Sequence, residues 1–182
     1  MPAIHTMHPV LVRIGYFGPR ILMVLSLIVS MSHKMVIIGI ILGSSINYII
    51  NSTLKKIIKE PRPSRTYHYV SSDLTEKKRS ASELGTQSYG MPSGHSQNVW
   101  FYTSFMYFTF RNMYITLLFM GVAITTSIQR VAYLNHTSKQ VVVGCVIGIL
   151  IGYTMTKIMA KLVPYIKNTA IFHTFDARKV YW

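Results

Sequence analysis

Apolar residues in this chain fall in long runs broken by short polar stretches, the pattern of bilayer-crossing helices and not the short amphipathic pattern of a soluble core. The first run, Val10 to Ser32, is the least regular, because Arg13 and Arg20 leave only a short clean core. The second runs from Met35 to about Leu54 and continues as a basic helical end until Pro61-Arg62-Pro63 stops it. Residues 64–91 form one long polar connection rich in Ser, Thr, Lys and Glu. A third span is predicted from His95 or Ser96 to near Arg111, a fourth from Met113 to about Gln129, and a fifth from near Ser138 to Val163, before Pro164. Gly144, Gly148 and Gly152 recur every four residues on the fifth, as do Gly39 and Gly43 on the second, so each helix offers a small-residue face for close packing.

The expected architecture is therefore all-α: a multi-pass membrane bundle of about five transmembrane helices, forming one domain over residues 1–182. Half of the residues are hydrophobic and the mean hydropathy is positive, so a separate soluble domain has no room. The first run lacks a clear small-residue cleavage site, so no signal peptide is expected. Cys145 is the only cysteine, which excludes internal disulfides and cysteine-based zinc sites. A net charge of +14 fits nucleic acid, anionic head groups or a phosphorylated substrate. Because the cations interleave with membrane spans, nucleic acid is set aside and lipid retained.

Three polar islands border the apolar runs: Lys55 with Arg62-Pro63, then Pro92-Ser93-Gly94-His95, then Arg130 with His136. They lie at the end of span two, the start of span three, and between spans four and five. If the spans alternate in direction, all three emerge on one membrane face, with the N-terminus on that face and the C-terminus opposite. No cluster of Asp, Glu and His with metal-ligand spacing accompanies them, so neither metal nor cofactor is expected.

In order and separation these islands resemble the three-part signature of the type 2 phosphatidic acid phosphatase superfamily. Longer strings, Ile58-Lys59-Glu60-Pro61-Arg62-Pro63, Tyr89 through Gln97, and His136-Thr137-Ser138-Lys139-Gln140, are similar to its dolichyl-diphosphatase branch. The resemblance covers roughly residues 47–152. It implies that His136 attacks phosphorus to form a phosphohistidine, and that His95 protonates the leaving oxygen and then activates water. Lys55, Arg62 and Arg130 suit the charge that spreads over the equatorial oxygens of a phosphoryl group in flight, and Ser93 with the Gly94 N–H can donate to the same oxygens at a helix start. The chain departs from the usual pattern at Gln129, where the family has Ser, and at Gln140, where it has Asp. On a helix Gln140 lies one turn beyond His136, so its side-chain oxygen can accept the ring N–H and orient the nucleophile. An acid-to-amide change in a serine-protease triad costs about 10⁴ in rate. The branch shares this Gln, which marks the change as a branch feature.

Taken singly, each island has a plainer meaning: a lysine-rich helix end anchors to anionic lipid, Pro-Ser-Gly-His caps a helix, and a His at a span end is an interfacial hydrogen-bonding residue. Their ordered co-occurrence carries the catalytic reading. His5, His8, His33, His68 and His173 match no island, and Trp100, Tyr102, Tyr107 and Tyr114 read as membrane-facing or interfacial aromatics. Lys77-Lys78-Arg79 reads as a solvated loop or head-group contact, and the sequons at Asn51 and Asn135 are expected to stay unmodified.

The function expected is hydrolysis of a polyprenyl diphosphate, dolichyl diphosphate first, to the monophosphate and phosphate. The alternatives are a broader phosphatase of phosphatidate-like lipids and a silent protein that binds anionic lipid. The partners are the bilayer and the lipid phosphate, with no protein partner indicated. The resemblance implies an endoplasmic reticulum location with a luminal site, whereas the basic loop on the active-site side alone favours the cytoplasm. A viral or other membrane stays open.

Overall fold

The computed structural model of the chain describes residues 7–70, 73–78 and 89–167. Within them lie five helices, α1 (Pro9–Val29), α2 (Lys34–Ile58), α3 (Gly94–Phe110), α4 (Met113–Ala132) and α5 (Ser138–Lys167), with strands β1 (Arg65–Val70) and β2 (Asp73–Lys78) between α2 and α3. The body of the fold is all-α, and α1, α2, α4 and α5 are each long and apolar enough to cross a membrane. Their outer faces carry large apolar side chains, among them Ile57, Tyr114 and Ile128, which only a lipid surrounding accommodates over so wide an area.

Helix α3 differs. Its 17 residues include Ser96, Gln97, Thr103, Ser104 and Thr109, all buried, and it touches each of the other four helices. It is the central post, and its polarity is tolerable because neighbouring helices screen it from lipid. The glycine stripe of α5 makes this possible. A methyl at Gly144 would lie 2.7 Å from the Ser93 carbonyl oxygen, one at Gly148 would run into the Gln97 carbonyl, and one at Gly152 would lie 2.8 Å from the Phe101 carbonyl. On the other side Gly39 and Gly43 of α2 receive the rings of Phe105 and Phe101. The small-residue faces are thus used for close packing. Beneath the site, Gln97 donates to Asn47 Oδ1 at 2.8 Å and accepts from Asn51 Nδ2 at 2.7 Å. The Asn51 amide of the first sequon is thus engaged inside the bundle.

Several expectations need correction. Proline does not end the fifth span: α5 continues through Pro164 to Lys167, just as α1 contains Pro19 within its length. Packed or lipid-embedded helices tolerate the one hydrogen bond a proline removes. Tyr102 is a core residue, not a membrane-facing aromatic; it is buried, and its hydroxyl lies 3.0 Å from Ser44 Oγ. Trp100 is half-buried and donates to Ser127 Oγ at 3.1 Å, whereas Tyr107 and Tyr114 are exposed. The polar connection contains the antiparallel pair β1–β2 with Arg65 opposite Lys78. His8 and His33 occupy the N-cap positions of α1 and α2. His5, Arg79 and His173 lie outside the described residues.

Candidate active site

The three islands meet at one end of the bundle, where α2 ends, α3 begins, and α4 turns into α5. Helix α2 closes on Lys59, a left-handed residue at φ 53° whose N–H returns to the Lys55 carbonyl, which leaves Lys55 in the last helical turn. The chain then runs past Glu60 and pairs with the segment before α3: the Gly90 N–H donates to the Glu60 carbonyl at 2.8 Å, Pro61 bridges Tyr89, and Arg62 Nε donates to the Tyr89 carbonyl at 3.4 Å. This strip sets the first island beside the second. Ser93 is the N-cap of α3, fully buried, and its hydroxyl accepts from Ser96 at 3.1 Å. No side-chain bond caps this helix among the described residues, so the N–H groups of its first turn, Gly94 included, remain suited to an anion.

The third island is built by a helix stop. Tyr133 caps α4, Leu134 takes a left-handed conformation at φ 51°, and its N–H bonds the Val131 carbonyl. Asn135 and His136 both donate their N–H groups to the Arg130 carbonyl, at 3.0 and 3.1 Å. This is a Schellman-type ending with Leu where glycine is usual, and it fixes His136 one turn from Arg130. Thr137 then opens α5 with a capping box: Gln140 N–H donates to Thr137 Oγ1 at 3.2 Å, and Thr137 N–H donates to Gln140 Oε1 at 3.3 Å. Thr-x-x-Gln is a sequence form that such helix starts take.

Gln140 also stands within reach of the His136 ring, as its spacing places it. Its Oε1 lies 3.2 Å from His136 Nδ1, and its amide Nε2 donates to the Pro61 carbonyl at 2.8 Å and to Glu60 Oε1 at 3.0 Å. With Oε1 as acceptor, His136 carries its proton on Nδ1 and directs the Nε2 lone pair away from Gln140. The second and third islands are tied by the Ser93 N–H, which donates to the Gln140 backbone carbonyl at 3.0 Å.

Arg130 is buried at 4% exposure. Its Nε donates to Gln129 Oε1 at 2.6 Å, so the Gln that replaces the family's Ser steadies the guanidinium. Its Nη2 is buried and has no hydrogen-bond partner among the described residues. A buried guanidinium donor left open is costly unless an anion completes it. Tyr16 of α1, an aromatic inside an apolar run with nothing local to single it out, bridges the site: its ring stands 6.3 Å from that of His95 and 5.6 Å from the Arg130 guanidinium. Burial, and next the positive charge of Arg62, hold His136 far below the usual histidine pKa, at about 2, against a smaller upward pull from Gln140. The ring is therefore neutral at physiological pH in the absence of a bound anion. Lys55 and Arg130 also act electrostatically on His136, and Lys55, Arg62 and Arg130 all act on His95. All eight residues expected from the sequence are thus gathered in one place. Among the described residues no group of three or more His, Cys, Asp or Glu side chains converges as a metal site would need.

An all-helical membrane bundle with cations grouped around two histidines has a counterpart among known families. The PAP2 superfamily profile matches residues 34–164, and the chain belongs to that superfamily. It is 33% identical over 149 residues to Dolichyldiphosphatase 1 of Dictyostelium discoideum, covering 75% of this chain and 58% of the relative. Dolichyldiphosphatase 1 of Homo sapiens is 30% identical over 122 residues, 58% of this chain and 45% of that protein. The mouse protein of the same name, from Mus musculus, is 32% identical over 126 residues, covering 60% and 47%. The chain spans about half the length of the curated relatives it matches. No solved structure is significantly similar to it.

Proposed function

We propose that this chain hydrolyses a polyprenyl diphosphate, dolichyl diphosphate first, to the monophosphate and inorganic phosphate at the endoplasmic reticulum membrane, with the site facing the lumen. The observation that carries the reading is the buried Arg130 with its open Nη2, gathered with Lys55 and Arg62 about a neutral His136. The printed names of the relatives supply the substrate class.

In this mechanism His136 Nε2 attacks the terminal phosphorus. An N–P bond forms as the P–O bond to the polyprenyl monophosphate breaks, and His95, which takes up a proton when the anionic diphosphate binds beside it, gives that proton to the leaving oxygen. Lys55, Arg62, Arg130, Ser93 and the Gly94 N–H hold the equatorial oxygens as charge redistributes. Water then attacks the phosphohistidine and loses a proton to His95. The N–P bond breaks, phosphate leaves, and both rings return to their starting states. Side-chain cations do the work that a metal ion does in other phosphoryl transferases, so metal independence is part of the proposal.

The test is phosphate release by the purified full chain in the presence of a strong chelator, comparing dolichyl diphosphate with phosphatidate. Preference for the diphosphate supports the reading. Faster release from phosphatidate would make the protein a broader lipid phosphatase, a strict need for added Mg²⁺ would remove the metal-free mechanism, and no release from either lipid would leave a silent anionic-lipid binder.

A further inference from the structure

Position 140 holds an amide where the superfamily signature has a carboxylate, so the charge that would steady a protonated His136 ring is missing from its nearest neighbour. It is present one bond further out. Gln140 is fully buried, and its two amide ends face different groups: Oε1 meets His136 Nδ1 at 3.2 Å, and Nε2 meets Glu60 Oε1 at 3.0 Å. Glu60 stands eighty positions away in sequence and reaches this place because its own carbonyl pairs with Gly90 N–H and its neighbour Pro61 accepts from the same Nε2. Its side chain is 26% exposed, and its other oxygen, Oε2, meets the exposed Lys139 ammonium at 3.3 Å.

We propose that Glu60 is a positioning residue for the reaction, acting on His136 through the Gln140 amide. The inference rests on the proposed hydrolysis and deepens it. An amide that donates to a carboxylate is polarised, and its oxygen becomes a stronger acceptor for the ring N–H. That fixes the Nδ1–H tautomer, leaves Nε2 to attack, and stabilises the positive ring that exists once Nε2 is bonded to phosphorus. Glu60 does not touch the phosphoryl group; the Nδ1 proton stays on the ring throughout.

A plainer role exists for the same carboxylate, a tie to Lys139 that holds the start of α5, and exposed ion pairs of that kind contribute little. Paired variants of the full-length protein separate the two. Glu60→Gln keeps size and an acceptor but removes the charge; kcat should fall about tenfold with KM nearly unchanged, because the loss is felt only as ring charge develops. Lys139→Met removes the tie but leaves the carboxylate on Gln140, and should keep the parental kcat. Gln140→Glu sets two carboxylates face to face and should lose more than Glu60→Gln. The double variant, Glu60→Gln with Gln140→Glu, carries the charge directly against His136 and should regain part of that loss, the remainder reflecting the Pro61 carbonyl left without a donor.

Parental kcat in Glu60→Gln, equal losses in Glu60→Gln and Lys139→Met, or a double variant no better than Gln140→Glu would each overturn the inference. A parent with no activity on dolichyl diphosphate would instead count against the proposed function. In that case spectra of isotope-labelled histidine ring nitrogens, with His136 assigned from His136→Ala, still decide: a fixed Nδ1–H tautomer that becomes mixed in Glu60→Gln supports the relay, and an unchanged tautomer overturns it.

Discussion

Gly90 is the position where one methyl group should cost most for its size. Its φ is not left-handed, so alanine meets no backbone objection; the obstacle is space. A Cβ there would stand 2.5 Å from Gln140 Nε2 and 2.6 Å from its Cδ, with Oε1 closer still. Ordinary carbon contacts lie at about 3.5–4.0 Å, so the amide must retreat by about 1 Å. It has nowhere to go without loss, since His136, Thr137, Glu60 and Pro61 hold it from four directions. A retreat of that size takes the 3.2 Å contact with His136 out of hydrogen-bonding range. Misplacing a reacting group by about 1 Å costs about 100-fold in rate, and stranding a buried amide costs about 1–3 kcal/mol of stability. Gly90→Ala should therefore lower kcat about 100-fold with a modest change in KM, and lower the unfolding midpoint slightly. Gly121→Ala is the matched control, because a methyl on that face of α4 meets nothing within 4 Å among the described residues. Steady-state phosphate release and thermal unfolding of both variants make the comparison. Parental kcat in Gly90→Ala would refute the claim that the amide's placement governs the nucleophile.

Three further outcomes are expected. His136→Ala should abolish turnover and any acid-labile phosphoprotein while leaving helical content intact; near-normal phosphate release from it would remove the proposed nucleophile. Arg130→Lys replaces the fork that bonds Gln129 and that the proposal sets against the phosphoryl oxygens, and kcat should fall by about 10²–10³, the loss typical of one transition-state donor; a kinetic assay showing less than tenfold loss would count against that role. His136 also carries a pH signature: its pKa drops from 6.5 to about 2 on folding, so between those values the unfolded chain binds a proton that the folded chain refuses. Its contribution is fully present above pH 6.5 and is lost as pH falls. The unfolding midpoint of the parent should thus decline more steeply than that of His136→Ala between about pH 6.5 and 4.5, and parallel curves would contradict the burial argument.

Much of this was open to reading from the chain because the informative signals were local. Helix α2 stops within residues of the proline pair, α3 starts at Gly94 after Ser93, and Gln140 sits one helical turn from His136, all as spacing dictates. Glu60 was illegible in its role, since only folding brings it to a residue eighty positions away. Tyr16 was hidden for a similar reason: an aromatic inside an apolar run looks like a lipid contact until α1 is packed on α3 and α4. Tyr102 misled in the opposite sense, because it stands on a side of α3 that neighbouring helices cover. The hairpin did leave a trace in Thr66, Tyr67, Tyr69 and Val70, a cluster of strand-forming residue types, but its polar surroundings read as loop.

The bond from Ser93 N–H to the Gln140 carbonyl, continued by glycines pressed against the carbonyls of α3, has a mechanical meaning. The helix carrying His95 and the helix start beside His136 form a caliper with welded jaws. The separation of the two histidines is thus set by the packing of α3 on α5. A bulky lipid head group must then be admitted by parts outside that weld. Helix α1 lies outside that weld, since it packs mainly on α4 and brings the half-exposed Tyr16 to the rim. Locking α1 to α4 should therefore slow substrate capture while leaving the chemistry of an already seated phosphate untouched.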